Sequence, residues 1–187
     1  MSTPTVTIPG YAIGTWDIDP VHSDVTITAR HLVVSKVRGR FDDFEGTLET
    51  AANPLESKVN ATIKATSIST KQPQRDDHIR SADFLDVENH PTITFASTGL
   101  RVSGDDYELD GNLTLHGVTK PVSLQLEVVG FGSDGHGGTK VGFSAKTAIN
   151  RKEFDIRFNA TIEGTGGAVV SDKLEVHLAI EGVLRAA

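Results

Sequence analysis

A cluster of charged and imidazole side chains, Arg75-Asp76-Asp77-His78, is the part of this sequence most suggestive of chemistry. Two carboxylates beside an imidazole could transfer protons or bind a cation. Adjacent residues of a helix point in different directions, however, so these groups converge poorly on one atom. We therefore interpret the cluster as a helix start with surface ion pairs, and Arg75, Asp77 and His78 remain the candidates if the protein is an enzyme.

The other histidines are scattered along the chain. None of them forms the i, i+4 histidine pair of a helical zinc motif, and there is no cysteine, which excludes thiolate chemistry and Cys-built metal sites. Histidines at strand ends, such as His22, His31 and His116, are better explained as partners of backbone groups that the sheet leaves free. The sequence predicts no metal site and no cofactor.

The charged cluster belongs to a predicted short helix near residues 74–82. Asp76 and Asp77 suit the positive end of the helix dipole, and Arg80 lies four residues beyond Asp76. Two turns of helix are too short to be stable alone, so the helix must dock onto the fold through apolar residues such as Ile79. Pro91 then directs the chain into an extended segment.

Almost everything outside this helix alternates between apolar and polar residues, as β-strands with one dry face do. The pattern is strict from Lys58 to Ser67, and a strand over Arg40 to Thr50 follows a basic turn at residues 36–39. Phe158 to Ile162 predicts another strand, with a turn at Gly164 to Gly167 after it. Because the strands follow each other without helical crossovers, we predict an all-β fold, a closed antiparallel up-and-down barrel of about eight strands.

The inward face of this barrel forms the predicted ligand-binding set. An eight-stranded barrel is either filled by its side chains or holds one small ligand, and the small residues here leave both readings open. The predicted lining consists of Val25, Ile27, Ala29, Val59, Ala61, Ile63, Ala65, Phe95, Leu113, Leu115, Leu124, Leu126, Phe143, Ala145, Phe158 and Ala160. Polar groups expected at the barrel mouth are Arg75, His78 and His31.

Length and composition indicate one domain, over residues 14–187, after a loose tail over residues 1–13. The only tryptophan, Trp16, is expected to be at least half buried near a barrel end. A net charge of −7 argues against nucleic acid and acidic membrane surfaces as main partners, and no apolar run predicts stable membrane insertion. With no signal peptide visible, a cytoplasmic location is expected. The charged stretch at Asn150 to Phe154 reads as a solvated hairpin.

Several blocks of the chain together resemble the YceI-like family of lipid-binding proteins. The blocks are residues 16–23, 31–41, 75–91, 113–122 and 150–154, and the similarity extends in order over roughly residues 14–183. One departure is Asp155, where the family often has glycine; aspartate is among the few residues that tolerate a positive φ there. Many family members also carry an export signal, and this sequence shows none.

The resemblance implies a lipocalin-like barrel with a helix near one end, which binds a polyisoprenoid or a related long-chain amphiphile and has no established enzymatic activity. The expected ligand is a polyisoprenoid, an isoprenoid quinone or a fatty-acid-like lipid, which could co-purify with the protein. The protein would hold it in the barrel bore as a carrier, storage or sequestering protein. Two alternatives stay open at this point. One is a lipid cyclase or hydrolase that uses the barrel mouth, and the other is a filled barrel that acts as a homodimerising module.

Overall fold

The computed structural model describes residues 6–164 and 167–187, and within them strands dominate. The strands are β1 (Gly14–Ile18), β2 (Asp24–His31), β3 (Ser35–Phe41), β4 (Phe44–Thr50), β5 (Lys58–Lys64), β6 (Ile68–Ser69), β7 (Thr92–Ser103), β8 (Asp106–Leu115), β9 (Val118–Ser133), β10 (Thr139–Asn150) and β11 (Val170–Leu184). One α-helix, α1 (Pro73–Arg80), interrupts them, and 3-10 turns occupy Pro54–Glu56, Ala65–Ser67 and Arg151–Phe154.

Eight of the strands close into a ring in the order β1-β4-β5-β7-β8-β9-β10-β11, and the pairing of β11 with β1 completes it. All the strand pairings of this ring are antiparallel. The remaining strands, β2, β3 and β6, continue the sheet beyond the ring. β2 pairs with the residues of β11 that precede those paired with β1, β3 pairs with β2, and β6 pairs with β3. The predicted closed antiparallel barrel of about eight strands with one helix is confirmed.

The two-residue period of the sequence sets which side chains face inward, because successive residues of a strand point to opposite faces. In β10, for example, Val141, Ala145 and Ile149 are buried, whereas Lys146 and Ala148 are exposed. The inward residues of several strands, together with Phe154 and Ile156, form one hydrophobic core cluster.

Helix α1 begins where proline and a capping side chain favour a start. Pro73 stands in its first turn, and the Oε1 of Gln72 accepts a hydrogen bond from the backbone N–H of Arg75. Ile79 in the helix and Phe84 and Leu85 after it pack against the core cluster, as the sequence predicted. This packing supplies the stability that eight residues of isolated helix lack.

Three local predictions differ from the structure. The basic segment 36–39 is strand β3 rather than a turn, and the reversal lies at residues 32–34. Strand β5 ends at Lys64, so Ala65 lies in a 3-10 turn. The segment around Phe158 is not a strand apart from an isolated bridge between Thr161 and Ala168. Alternation alone cannot distinguish an extended loop from a paired strand. Of the predicted turn at 164–167, residues 165 and 166 lie outside the described residues.

Asp155 and the N-terminal segment each have defined conformations. Asp155 adopts φ 60° and ψ 19°, the left-handed conformation that its position was expected to tolerate. Of the segment predicted to be loose, Tyr11 donates a hydrogen bond to the carbonyl of Ala51 (2.7 Å) and packs edge-on against Phe131. Trp16 is fully buried, as predicted.

Candidate functional site: an apolar cavity beside the helix

A cavity of about 390 Å³ lies between α1, strands β2, β3 and β11, and the segment after the last 3-10 turn. Its wall is mostly apolar, because the inward positions of those strands carry small or aliphatic side chains. The apolar lining residues are Ile27, Ala29, Val37, Gly39, Phe41, Ile68, Ile79, Phe84, Leu85, Ile156, Phe158, Ala160, Val169, Val170 and Leu174. We refer to it as the helix cavity.

The space in the helix cavity depends on small residues at one place in the sheet. Ala29 pairs with Val37 on one side and with Leu174 on the other, so its methyl group lies between two larger aliphatic walls. Gly39 is next along β3 on the same face, and a Cβ atom there would come within 2.9 Å of the Ile68 side chain. Larger residues at either position would reduce the volume.

Arg75 contributes a cationic group to the cavity wall and is held by a polar network. Its Nε donates to the Thr70 hydroxyl (2.7 Å) and its Nη2 donates to the Thr70 carbonyl (3.0 Å). The Thr70 hydroxyl in turn donates to the buried carboxylate of Asp76 (2.5 Å), which also accepts from the Thr70 backbone N–H. Asp76 is therefore a structural anchor for the start of α1 and for Arg75.

His78 lies in an aromatic cluster at the same cavity. Its ring packs edge-on against Phe84 and Phe158, with centroid distances of 5.0 and 5.2 Å, and these two phenylalanines are 5.3 Å apart. Its Nε2 is 2.9 Å from an Asp83 carboxylate oxygen. The imidazole is thus held between a carboxylate and two apolar rings, beside the cavity.

Arg151 is the buried charge of this region and was misjudged from the sequence. Its side chain is only 2% exposed, and the guanidinium donates to the carbonyls of Ile156 (3.0 Å), Phe158 (2.7 Å) and Ser171 (3.0 Å). Burial lowers the pKa of Arg151 from its ordinary value, an effect that nearby Asp172 opposes. The stretch predicted as a solvated hairpin is in fact a 3-10 turn whose Arg151 side chain is buried and connects separate segments of the chain. The sequence contained a signal for this burial, because Arg151 continues the inward-facing register of β10.

The structure sorts the predicted lining residues into three groups. Ile27, Ala29, Phe158, Ala160 and the polar residues His31, Arg75 and His78 line the helix cavity. Val59, Leu126 and Phe143 line a second, smaller cavity of about 80 Å³. The other predicted residues are not among the linings of these two cavities: Val25, Ala61, Ile63, Ala65, Phe95, Leu113, Leu115, Leu124 and Ala145.

Most of this third group lies in the packed core or against it rather than beside a cavity. Val25, Ala65 and Leu115 belong to the core cluster, and Ala145 is only 6% exposed. Phe95 covers Gly111, where a Cβ atom would come within 2.3 Å of its ring. A packed core therefore lies inside the barrel, and the predicted lining residues do not surround one open bore.

Two groups of potential metal ligands come together that sequence spacing did not reveal. Asp86, His90 and His116 have ligand atoms within 4.8 Å of one another, as do Asp19, His22 and Glu181. The rings of His90 and His116 are 4.8 Å apart, although 26 residues separate them in sequence. The Nδ1 of His116 lies 3.1 Å from the Phe154 carbonyl, which leaves its Nε2 as the available ligand atom. Either group could hold a divalent cation.

The fold is a closed antiparallel β-barrel with an apolar cavity beside its helix, and sequence comparison identifies its family. A sequence model of the YceI-like domain matches residues 16–182. The chain belongs to the YceI-like family. A UPF0312 protein of Pectobacterium atrosepticum is 41% identical over 169 residues, 90% of this chain and 84% of that protein. The protein YceI of Escherichia coli O17:K52:H18 is 40% identical over 89% of this chain and 84% of the Escherichia coli protein.

Solved structures show the same fold. BcnA of Burkholderia cenocepacia superposes with a TM-score of 0.76 at 20% identity, covering 88% of this chain and 98% of its own. The YceI protein of Campylobacter jejuni gives 0.71 at 25% identity, with both chains fully covered. A polyisoprenoid-binding domain from Saccharophagus degradans gives 0.69 at 16% identity, covering 93% of this chain and all of its own.

Within residues 6–164 and 167–187, no helix has the length and the apolar character that crossing a membrane requires.

Proposed function

We propose that this protein binds the apolar chain of a long amphiphile, a polyisoprenoid, isoprenoid quinone or fatty-acid-like lipid, in the helix cavity and acts as its carrier. The observation that supports the proposal is the apolar cavity of about 390 Å³ with Arg75, His78 and Arg30 in its lining. Pockets of about 300–1,000 Å³ with apolar walls and few polar groups are typical of small-molecule sites.

The lining favours a ligand with one apolar and one polar end. Burying about 300 Å² of an apolar chain contributes on the order of 7 kcal/mol at about 25 cal/mol per Å². Ordering and association costs remove much of this, which leaves affinities in the micromolar range. Arg75, already oriented by Thr70, and His78 supply hydrogen-bond donors for a carboxylate, phosphate or hydroxyl headgroup.

Family membership supports the same assignment. The structural neighbour from Saccharophagus degradans is described as a polyisoprenoid-binding domain, and its fold matches nearly the whole of this chain. A cavity that accepts a flexible isoprenoid or alkyl chain needs volume and an apolar wall rather than specific hydrogen bonds. The present cavity has both.

The enzyme alternative is less well supported by the geometry. Of its three candidates, Asp77 is 80% exposed and pairs with Arg80 (3.2 Å), and it is not among the residues that line the helix cavity. His78 pairs instead with Asp83 (2.9 Å), and Arg75 is bound to Thr70. The three groups do not converge on one point, as acid–base chemistry would require. A dimerising module remains the third alternative.

The test of ligand binding is a variant that fills the cavity, Ala29→Phe. We expect it to lower the affinity for a dansyl-labelled fatty acid and for a long-chain prenol by at least about tenfold, since the ring occupies the space of the ligand. Stability should fall little, because overpacking costs about 1–3 kcal/mol only where the site is already full. Fluorescence titration, with native mass spectrometry for bound lipid, gives the readout.

The matched control is Ala96→Phe, the same change at an exposed alanine of β7. It should bind the probe as the wild type does. Unchanged affinity of Ala29→Phe, or a wild type that retains no lipid and binds no probe, would contradict the proposal. Conversion of bound lipid by the wild type that His78→Gln abolishes without loss of binding would instead support the enzyme alternative.

A further inference from the structure

The reversal between β2 and β3, residues 32–34, presents apolar side chains to solvent. Val33 is 72% exposed, Val34 is 85% exposed and Leu32 is 38% exposed. We refer to these three residues as the hairpin tip. Three adjacent exposed aliphatic residues at one turn are unusual for a free surface, where turns carry Gly, Asn or Asp.

The backbone of the hairpin tip is also strained. Leu32 has φ 53° and Val33 has φ 66°, a left-handed conformation that a β-branched residue such as valine rarely adopts. Glycine or asparagine would fit the turn better. The side chain of a strained and exposed residue does not stabilise the fold. The apolar side chains of the hairpin tip therefore point to a role outside the folded core.

A basic face continues from the hairpin tip along both strands. Arg30 pairs directly with Lys36 across the two strands, and Arg38 lies two pairs further along, on the same face of β3 as Lys36. Like charges directly opposite each other destabilise a sheet. Within the described chain Lys36 has Glu175 at 3.5 Å, whereas Arg30 and Arg38 make no ion pair within 4.0 Å. The basic face therefore has more positive charge than its own neighbours neutralise.

The hairpin tip lies beside the helix cavity. Arg30 and His31, the last residues of β2, line the cavity, and so do Val169 and Val170. The backbone N–H of Leu32 donates to the carbonyl of Val169 (3.0 Å), which fastens the tip to this wall. A surface that the tip contacted would thus lie next to the cavity.

We propose that the hairpin tip and the basic face dock reversibly on an anionic lipid surface and bring the helix cavity to the membrane. Apolar side chains that enter the interface, surrounded by Arg and Lys, are the combination by which proteins bind such surfaces peripherally. The proposal rests on the proposed function, because docking serves to transfer the amphiphile between the bilayer and the cavity. The net charge of −7 disfavours an anionic bilayer as a partner of the surface as a whole, as the sequence predicted. The same repulsion acts on every face except the basic one, and so orients the molecule with this face toward the bilayer.

The experiment measures co-sedimentation of the full chain with vesicles of equimolar phosphatidylglycerol and phosphatidylcholine, compared with pure phosphatidylcholine. We expect binding to the anionic vesicles only, and weaker binding at high salt, because the Debye length shortens to about 3 Å at 1 M. Arg30→Gln with Arg38→Gln should lower the partition coefficient about fivefold for each cation removed. Val33→Ser with Val34→Ser should lower it to a similar extent.

Matched controls distinguish vesicle binding by this surface from nonspecific adsorption. Val129→Ser removes a 70% exposed valine elsewhere, and Lys120→Gln with Lys146→Gln makes the same change of charge at exposed positions of β9 and β10. These variants should bind vesicles as the wild type does. Because all the substituted side chains are exposed, the melting temperatures should stay close to that of the wild type, which confirms that the variants fold.

Three results would overturn the proposal: no wild-type binding to anionic vesicles, equal binding by tip, basic-face and control variants, or dimerisation through the tip without vesicle binding. Analytical ultracentrifugation of the wild type and of Val33→Ser with Val34→Ser detects the third. Ala29→Phe separates the two proposals. It should dock on lipid-only vesicles normally even though its cavity is filled, so failure of ligand binding and failure of docking are observed independently.

Discussion

At the scale of single residues, the hydroxyl of Thr50 illustrates how one side chain fixes a barrel end. It accepts hydrogen bonds from the indole Nε1 of Trp16 (2.8 Å) and from the backbone N–H of Gly14 (2.9 Å), and it donates to the carbonyl of Ala12 (2.7 Å). Trp16 is fully buried, so its indole N–H has no water available to replace this partner. One hydroxyl joins β1, β4 and the segment before them.

Thr50→Val should therefore destabilise the protein although the shape of the side chain is retained. The expected cost is about 1–3 kcal/mol, because the buried indole N–H loses its acceptor. Urea unfolding followed by fluorescence of the only tryptophan measures it, and the native emission should stay blue of free indole in water. Thr47→Val, on the opposite face of the same strand, is the control and should have little effect.

At the scale of elements, Arg151 connects pieces of chain that the sheet does not pair. It stands at the end of β10 and donates to carbonyls of the unpaired segment at Ile156 and Phe158 and of β11 at Ser171. That segment supplies part of the wall of the helix cavity. Because extended chain outside a sheet has no ladder to satisfy its carbonyls, a buried guanidinium with several donors is an effective substitute.

Arg151→Met should cost about 3–5 kcal/mol, since it leaves buried carbonyls without donors. The cavity wall should loosen as well, so probe affinity should fall together with stability. Chemical denaturation and the dansyl fatty acid titration measure the two effects. Lys152→Met, the same change at the adjacent exposed residue, should alter both only slightly, and an equal loss in the two variants would contradict this role.

At the scale of the whole molecule, the ring is closed by β1 and β11, the first and last strands of the chain. Three residue pairs, Trp16 to Ile18 with Leu184 to Gly182, make this closure. Arg185 adds a two-bond contact to the carboxylate of Asp17, with nitrogen–oxygen distances of 2.9 and 2.7 Å. The hydrogen bond from Arg185 holds the pKa of Asp17 below its ordinary value.

A depressed carboxylate pKa stabilises the folded state above the unfolded pKa, and that contribution is lost as the pH falls through the folded value. The stability of the wild type should therefore decline below about pH 4. Asp17→Asn should be slightly less stable at pH 7 and should lose less on acidification. Urea midpoints at neutral and acidic pH measure this, with Asp105→Asn, the same change of charge at an exposed turn, as the control. An identical pH dependence of Asp17→Asn and the wild type would exclude this role.

The sequence by itself determined the architecture. Strand alternation predicted the inward and outward faces, and the acidic residues Asp76 and Asp77 marked the helix of the described chain. Both features are local, because a period of two or a helix start depends on neighbouring residues only. The positive φ of Asp155 was anticipated from the resemblance, because the family often has glycine there and aspartate tolerates the same conformation.

Only the tertiary structure decided where the interior is empty. Ala29 and Ala145 are both small residues on the inward face, yet Ala29 lines the helix cavity and Ala145 is packed. Which side chains of other elements pack against an inward alanine is not encoded by the strand that carries it. The meeting of His90 with His116 and the bonds from Arg151 to an unpaired segment likewise depend on how distant parts of the chain are brought together. Periodicity gives the direction of a side chain, whereas what the side chain meets is set by the packing of the whole barrel.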